Sequence, residues 1–108
     1  MNSMNEKQLI GMLGLAMRAG QLKLGVDMSA DYIRHGQAEA AFIDQSASEN
    51  AKKRLQDTAE FYKIPLYELP EGLLDEASGK SGRMAAAVSH GGIAKQIIKI
   101  VTANQSQD

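Results

Sequence analysis

Cysteine is absent from the 108-residue chain, which excludes disulfides and thiolate metal sites and suits a reducing compartment. No apolar run approaches the roughly 18 residues that a membrane-spanning helix requires. The N-terminus has no basic region followed by a continuous apolar stretch, so no signal peptide is expected. These absences point to a cytoplasmic domain with no membrane partner. A positive charge balance is also lacking: 12 Lys and Arg stand against 13 Asp and Glu, a formal net charge of −1. Phosphate recognition ordinarily needs the opposite balance, which argues weakly against nucleic acid on composition alone. No GxGxxG, GxxxxGK[ST], HExxH or GxSxG pattern occurs. The common cradles for dinucleotides and nucleoside triphosphates, and the common zinc and serine hydrolase motifs, are therefore missing.

What is present is ordinary for a globular chain, with 44% hydrophobic and 23% charged residues. That length and composition suit one domain over 1–108 around a single core, with no linker or internal repeat. Charge is unevenly spread. Residues 64–78 hold Glu68, Glu71, Asp75 and Glu76 with no base, whereas 79–101 hold Lys80, Arg83, Lys95 and Lys99 with no acid. A near-neutral chain can thus still present a basic edge, although alternating solvated faces explain the same pattern.

Hydrophobic periodicity organises the rest. Ser3 and Glu6 have capping-box spacing, so a helix should start near Met4 and run along Leu9, Leu13, Ala16 and Met17 to Gly20. Residues 21–24 alternate as a short strand, and 27–35 read as a second helix with Met28, Tyr32 and Ile33 inward. "AEAAFID" at 38–44 is a buried strand, and Ser46 with Glu49 spaces a second capping box before a helix to about Tyr62. Its inner face is Ala51, Leu55, Thr58, Ala59 and Tyr62, with Lys52, Lys53, Arg54 and Asp57 outward. "KIPLYEL" is a strand with Pro65 at its start. Pro70 and Glu71 open a short helix to about Ser78, "GKSG" is a loop, and "RMAAAVS" is a strand of small residues. "GGIAKQIIKIV" closes the fold as a helix, leaving 102–108 as a polar tail expected to fray. Strict alternation of helix and strand predicts an α/β fold, a three-layer α/β/α sandwich on a mixed sheet of about four strands.

Candidates for catalysis are few. His35 falls at the end of the second helix, where a partly positive ring suits the dipole. His90 follows Ser89, but adjacency in sequence makes no nucleophile–base pair without tertiary geometry and a third, orienting group. The pairs Asp27/Asp31 and Asp75/Glu76 supply the oxygen ligands a hard cation takes, yet two acids on an exposed helix face are usually solvated charge. An enzyme, a metal and a cofactor are all unexpected on this reading. Recognition through backbone and helix ends fits better: Gly25 allows close approach of the main chain, and the first N–H groups of the second helix point outward unless capped. Asp27 is itself a good N-cap residue and could occupy them.

Several stretches together carry a resemblance: "LGLAMRAGQLKLG", "IRHGQAEAAFI", "DQSASENAKKRLQDTAEFYKIPLYEL" and "GRMAAAVSHGGIAKQI". Over roughly residues 9–98 they resemble the bacterial YlxQ-type proteins, within the superfamily of kink-turn RNA-binding ribosomal proteins that includes archaeal L-seven-Ae. The resemblance implies the same α/β/α sandwich. It further implies that the start of the second helix enters the widened groove of a kinked RNA duplex to read tandem sheared G·A pairs. A small apolar loop before the last strand would pack on flipped-out bases, with basic residues on phosphates and no reaction.

Carried over by position, the implied surface comprises Lys23, Gly25, Val26, Asp27, Met28, Asp31, Arg34, Lys80, Ser81, Gly82, Arg83 and Met84. The family pattern at the helix start is Gly, any residue, Asn, Glu, two variable residues, then Lys. Gly25 matches, but Asp27 stands for Asn, Met28 for Glu and Asp31 for Lys. Asp27 only accepts hydrogen bonds where Asn also donates, Met28 cannot take base-edge donors, and Asp31 repels phosphate. Two expectations follow: a non-catalytic, ribosomal-protein-like protein for structured RNA on or near the ribosome, with a departed kink-turn motif, or a protein-interaction module that kept the fold and lost the RNA site.

Overall fold

The computed structural model describes residues 3–105, and everything structural below refers to these. Nine elements alternate: α1 (Ser3–Arg18), β1 (Leu22–Leu24), α2 (Val26–Arg34), β2 (Ala38–Asp44), α3 (Glu49–Tyr62), β3 (Leu66–Leu69), α4 (Leu73–Ser78), β4 (Ala85–Ser89) and α5 (Gly92–Gln105). The strands form one mixed sheet in the order β1-β4-β2-β3, antiparallel except for the β2/β3 pair.

Alternation along the central strands builds two cores. Ala40 and Phe42 of β2 and Ala86 and Val88 of β4 face a layer made by α1, α4 and α5, whose Leu9, Leu13, Leu74, Ile97 and Val101 are buried there. Ala41, Ile43, Ala85 and Ala87 face the opposite layer, where α2 and α3 contribute Ala30, Ile33, Leu55 and Ala59. The run Ala85–Ala87 lets helices approach the sheet closely on both sides. A register shift between Ala38 and Ala40 turns Ala38 onto the Ala41 face despite its odd spacing. The α/β/α sandwich on a mixed four-stranded sheet is thus the architecture that the alternation predicts.

Several local expectations are corrected. The cap of α3 is Ser48, not Ser46: Ser48 Oγ accepts the Ala51 N–H at 3.1 Å. Ser46 is committed elsewhere, giving both its N–H (2.8 Å) and its hydroxyl (2.6 Å) to one oxygen of Asp44. The other Asp44 oxygen accepts the Gly72 N–H at 2.9 Å, so a buried carboxylate ties the end of β2 to the start of α4. Burial raises the Asp44 pKa, but these hydrogen bonds and the charge of Lys52 outweigh it and hold the carboxyl below its usual range.

Met28 and Tyr62 are exposed rather than inward, because α2 turns Ser29, Ala30 and Ile33 to the sheet and α3 turns Leu55 and Ala59. Helix α5 continues through Gln105, so 102–105 are helical rather than tail, while 106–108 lie outside the described residues. Helix α1 includes Ser3, whose side chain and expected capping box with Glu6 also lie outside them. No described helix is long and apolar enough to cross a membrane.

Candidate nucleic-acid interface

Gly25 is the N-cap of α2, and its φ of 104° and ψ of 153° suit a residue without a Cβ. No side chain caps this end. Asp27 sits inside the first turn rather than at the N-cap, and its carboxylate pairs with the Arg54 guanidinium on α3. That is the second role that sequence placed wrongly: Asp27 serves the α2–α3 contact, not its own helix end. The Gly25 N–H donates to the Ala85 carbonyl at 2.8 Å. This single bond brings the open start of α2 beside the segment that leads into β4.

That segment, residues 79–84, is shaped by two glycines with positive φ, Gly79 at 72° and Gly82 at 72°. Asp75 organises it. Its two carboxylate oxygens accept the N–H groups of Gly82 (3.0 Å) and Arg83 (2.7 Å). Met84 is half-buried against the α2/α3 core, its sulfur 3.8 Å from the Ser46 hydroxyl, and its carbonyl accepts the Asp44 N–H at 2.7 Å. Lys80, Ser81 and Gly82 are exposed. Among the described residues neither Lys80 nor Arg83 has an ion-pair partner, and Arg83 Nε is buried without a hydrogen bond.

The residues expected at the site separate into two groups. Gly25 meets the entry of β4 just after the 80–84 loop, Val26, Asp27 and Met28 follow it in the first turn of α2, and Met28 is 51% exposed. Lys23 instead directs its ammonium over the Tyr32 ring, 5.9 Å from the centroid. Arg34 lies in the last turn of a nine-residue helix, about 13 Å along the axis from Gly25 at 1.5 Å per residue, and pairs with Asp31. Both acids on α2 therefore carry a cation of their own.

Sequence reasoning missed three residues of this edge. Arg54 reads as one more outward charge on α3, and only the packing of α3 on α2 sets it beside Asp27. Asp75 reads as a member of an acidic pair, and no spacing rule links it to a loop folded back through two left-handed glycines. Ser46 reads as a cap but braces Asp44 and touches Met84.

The other polar candidates are held by their surroundings. His35 Nδ1 lies 2.7 Å from the Asp31 carbonyl at the end of α2. His90 has Nε2 at 3.3 Å from the Gly36 carbonyl and Nδ1 at 3.7 Å from Glu39, so its ring faces no hydroxyl. Glu39 also accepts from Gly91 N–H and Lys95. Its burial raises the pKa, but those bonds and the neighbouring cations lower it more. No cluster of metal-ligating side chains occurs among the described residues.

Known proteins place the chain in a family. Residues 7–98 match the sequence model of the ribosomal protein L7Ae/L30e/S12e/Gadd45 family. RNA-binding protein YlxQ of Enterococcus faecium is 35% identical over 92 residues, covering 84% of this chain and 89% of the relative. The protein of the same name from Bacillus subtilis (strain 168) is 31% identical over 91 residues, covering 83% and 91%. Among solved structures, a protein of unknown function from Bacillus halodurans superposes with a TM-score of 0.82 at 27% identity, over 87% of this chain and 96% of that one. The Giardia lamblia 15.5kD RNA binding protein superposes with a TM-score of 0.74 at 16% identity, over 98% and 92%, a likeness of fold. With a family match spanning most of its length and two relatives of one kind above 30% identity, the chain belongs to the ribosomal protein L7Ae/L30e/S12e/Gadd45 family as a YlxQ-type member.

Proposed function

We propose that the chain binds structured RNA, without catalysis, along the edge formed by the first turn of α2 and the 80–84 loop. The observation that carries this reading is the Gly25–Ala85 hydrogen bond, which joins an uncapped helix start to the strand that follows the loop carrying the unpaired cations Lys80 and Arg83. Uncapped N–H groups and a helix dipole attract phosphate oxygens, and the loop adds two charges that need no internal pair to be broken. The names of the two bacterial relatives point to the same ligand class. Kink-turn RNA on or near the ribosome is the ligand that fits the family pattern, read in weakened form. Asp27 and Asp31 are each neutralised by an arginine, so the edge presents less net positive charge than its basic residues suggest. Lys23 and Arg34 lie outside this first edge and would touch RNA only where it extends along α2.

The test is a fluorescence titration of a kink-turn duplex at low and moderate salt, with wild type and with Lys80→Glu/Arg83→Glu. Measurable binding that the double variant weakens at least tenfold supports the reading. Binding unchanged by the reversal contradicts it.

A further inference from the structure

Helix α1 carries two interior glycines, and only one has a reason inside the fold. A Cβ on Gly14 would stand 3.3 Å from the Ala77 carbonyl oxygen, so the close approach of α4 accounts for it. Gly11 is exposed, and a Cβ there would meet nothing within 4 Å. A mid-helix glycine lowers helix stability relative to alanine, and among the described residues no close contact accounts for it at this position. Gly11 lies on the wall of a groove of about 530 Å³ between α1 and α5. That layer is on the opposite side of the sheet from α2 and α3.

Among the described residues the lining of the groove is one-sided in charge. Met12 and Ile100, both half-buried against the core, supply apolar surface, Lys7 and Lys99 stand on the two helices, Gln96 adds an amide, and none of these lining residues is acidic. Among the described residues neither lysine has an ion-pair partner. We propose that this groove docks an acidic amphipathic helix of a protein partner. Its apolar stripe lies on Met12 and Ile100, its backbone approaches over Gly11, and carboxylates on both flanks meet Lys7 and Lys99. This is the helix-in-groove mode, anchored at i, i+3, i+4 and i+7. RNA fits poorly, because the lining has no aromatic ring or arginine on which a base could stack. A second copy placed face to face would set lysines against lysines. The groove leaves the α2 edge free, so an RNA and a protein could be held on opposite layers.

The test uses the full-length isotope-labelled chain and three probes in NMR titrations. One is a synthetic helix-forming peptide with leucines at i, i+3, i+4 and i+7 and glutamates on both flanks. The second replaces those glutamates with lysines, and the third is a kink-turn duplex. The acidic peptide is expected to shift amides of Gly11, Met12, Gln96 and Lys99, and the basic peptide to leave them in place. Gly11→Leu, whose new side chain enters open space, should keep the folded spectrum and weaken the acidic peptide at least fivefold. Lys7→Glu/Lys99→Glu should release the acidic peptide and accept the basic one. Equal response to both peptides, shifts confined to other elements, or binding undiminished by Gly11→Leu overturns the proposal. Shifts of these same amides by the duplex, or dimerisation of the chain abolished by Gly11→Leu, overturns it as well.

Discussion

Two carboxylates show how differently one residue type is used here. Asp27 is 80% exposed at its side chain and holds Arg54 across the gap between α2 and α3. An exposed pair of this kind contributes at most about 1 kcal/mol to stability, but it occupies a cation at the edge where phosphate would lie. Asp27→Asn should therefore leave the melting temperature within a few degrees while raising RNA affinity several-fold. The log–log salt dependence should steepen by about one unit, the signature of one more phosphate contact. Titrations at three salt concentrations measure both. Asp44 is the opposite case: buried, with hydrogen bonds from Ser46 and Gly72 and a pKa held low. Its contribution is complete above the ordinary value of 3.8 and fades as pH falls through the lower folded-state value. Asp44→Asn should cost about 1–3 kcal/mol at neutral pH. In denaturant unfolding the gap from wild type should narrow toward pH 3. A gap that is constant with pH would contradict this role. Neither duty was legible from sequence, because both partners come from distant elements. The departures from the family pattern at Asp27, Met28 and Asp31 were legible, since a side chain's donors, acceptors and charge go with its identity.

At the level of elements, periodicity located all nine helices and strands, and its errors were errors of phase and boundary. Around the β2–α3 turn, Ser46 and Ser48 are both sound cap residues by type. The choice fell to Ser48 because Asp44 claims Ser46, a contest decided by tertiary geometry rather than spacing. Ser48→Ala should cost about 1 kcal/mol and expose the Ala51 amide to hydrogen exchange. Ser46→Ala should leave Ala51 protected while loosening the Asp44 clamp. On α2 only Met28 was assigned to the wrong face, since Ile33 is buried and Tyr32 packs half-buried against the same cluster. Ser29 and Ala30 also cover the sheet, small residues where a pattern search favours the larger Met28. Met28 is left bare at the candidate edge, at the position where the family pattern has a glutamate.

The whole molecule is a sheet with two unlike outer layers. One layer presents the open start of α2 and the 80–84 loop, and the other presents the α1/α5 groove. The sandwich was legible because strict alternation of helices and strands admits few other architectures. The convergence of Gly25 with the 80–84 loop was not, since it depends on β4 lying between β1 and β2. A net charge of −1 spread over such a body supplies little long-range attraction, so the RNA binding proposed here would rest on local contacts at this edge. The central claim is that this edge is an RNA-reading site whose reading residues have been exchanged. Its most direct test is the triple variant Asp27→Asn, Met28→Glu, Asp31→Lys, titrated against a kink-turn duplex and a control with disrupted G·A pairs. Removing the misplaced charge and adding one base contact is worth roughly 2 kcal/mol or more. Affinity for the kink-turn should thus rise at least about tenfold, with a clearly smaller gain on the control. No gain, or an equal gain on both RNAs, would contradict the account.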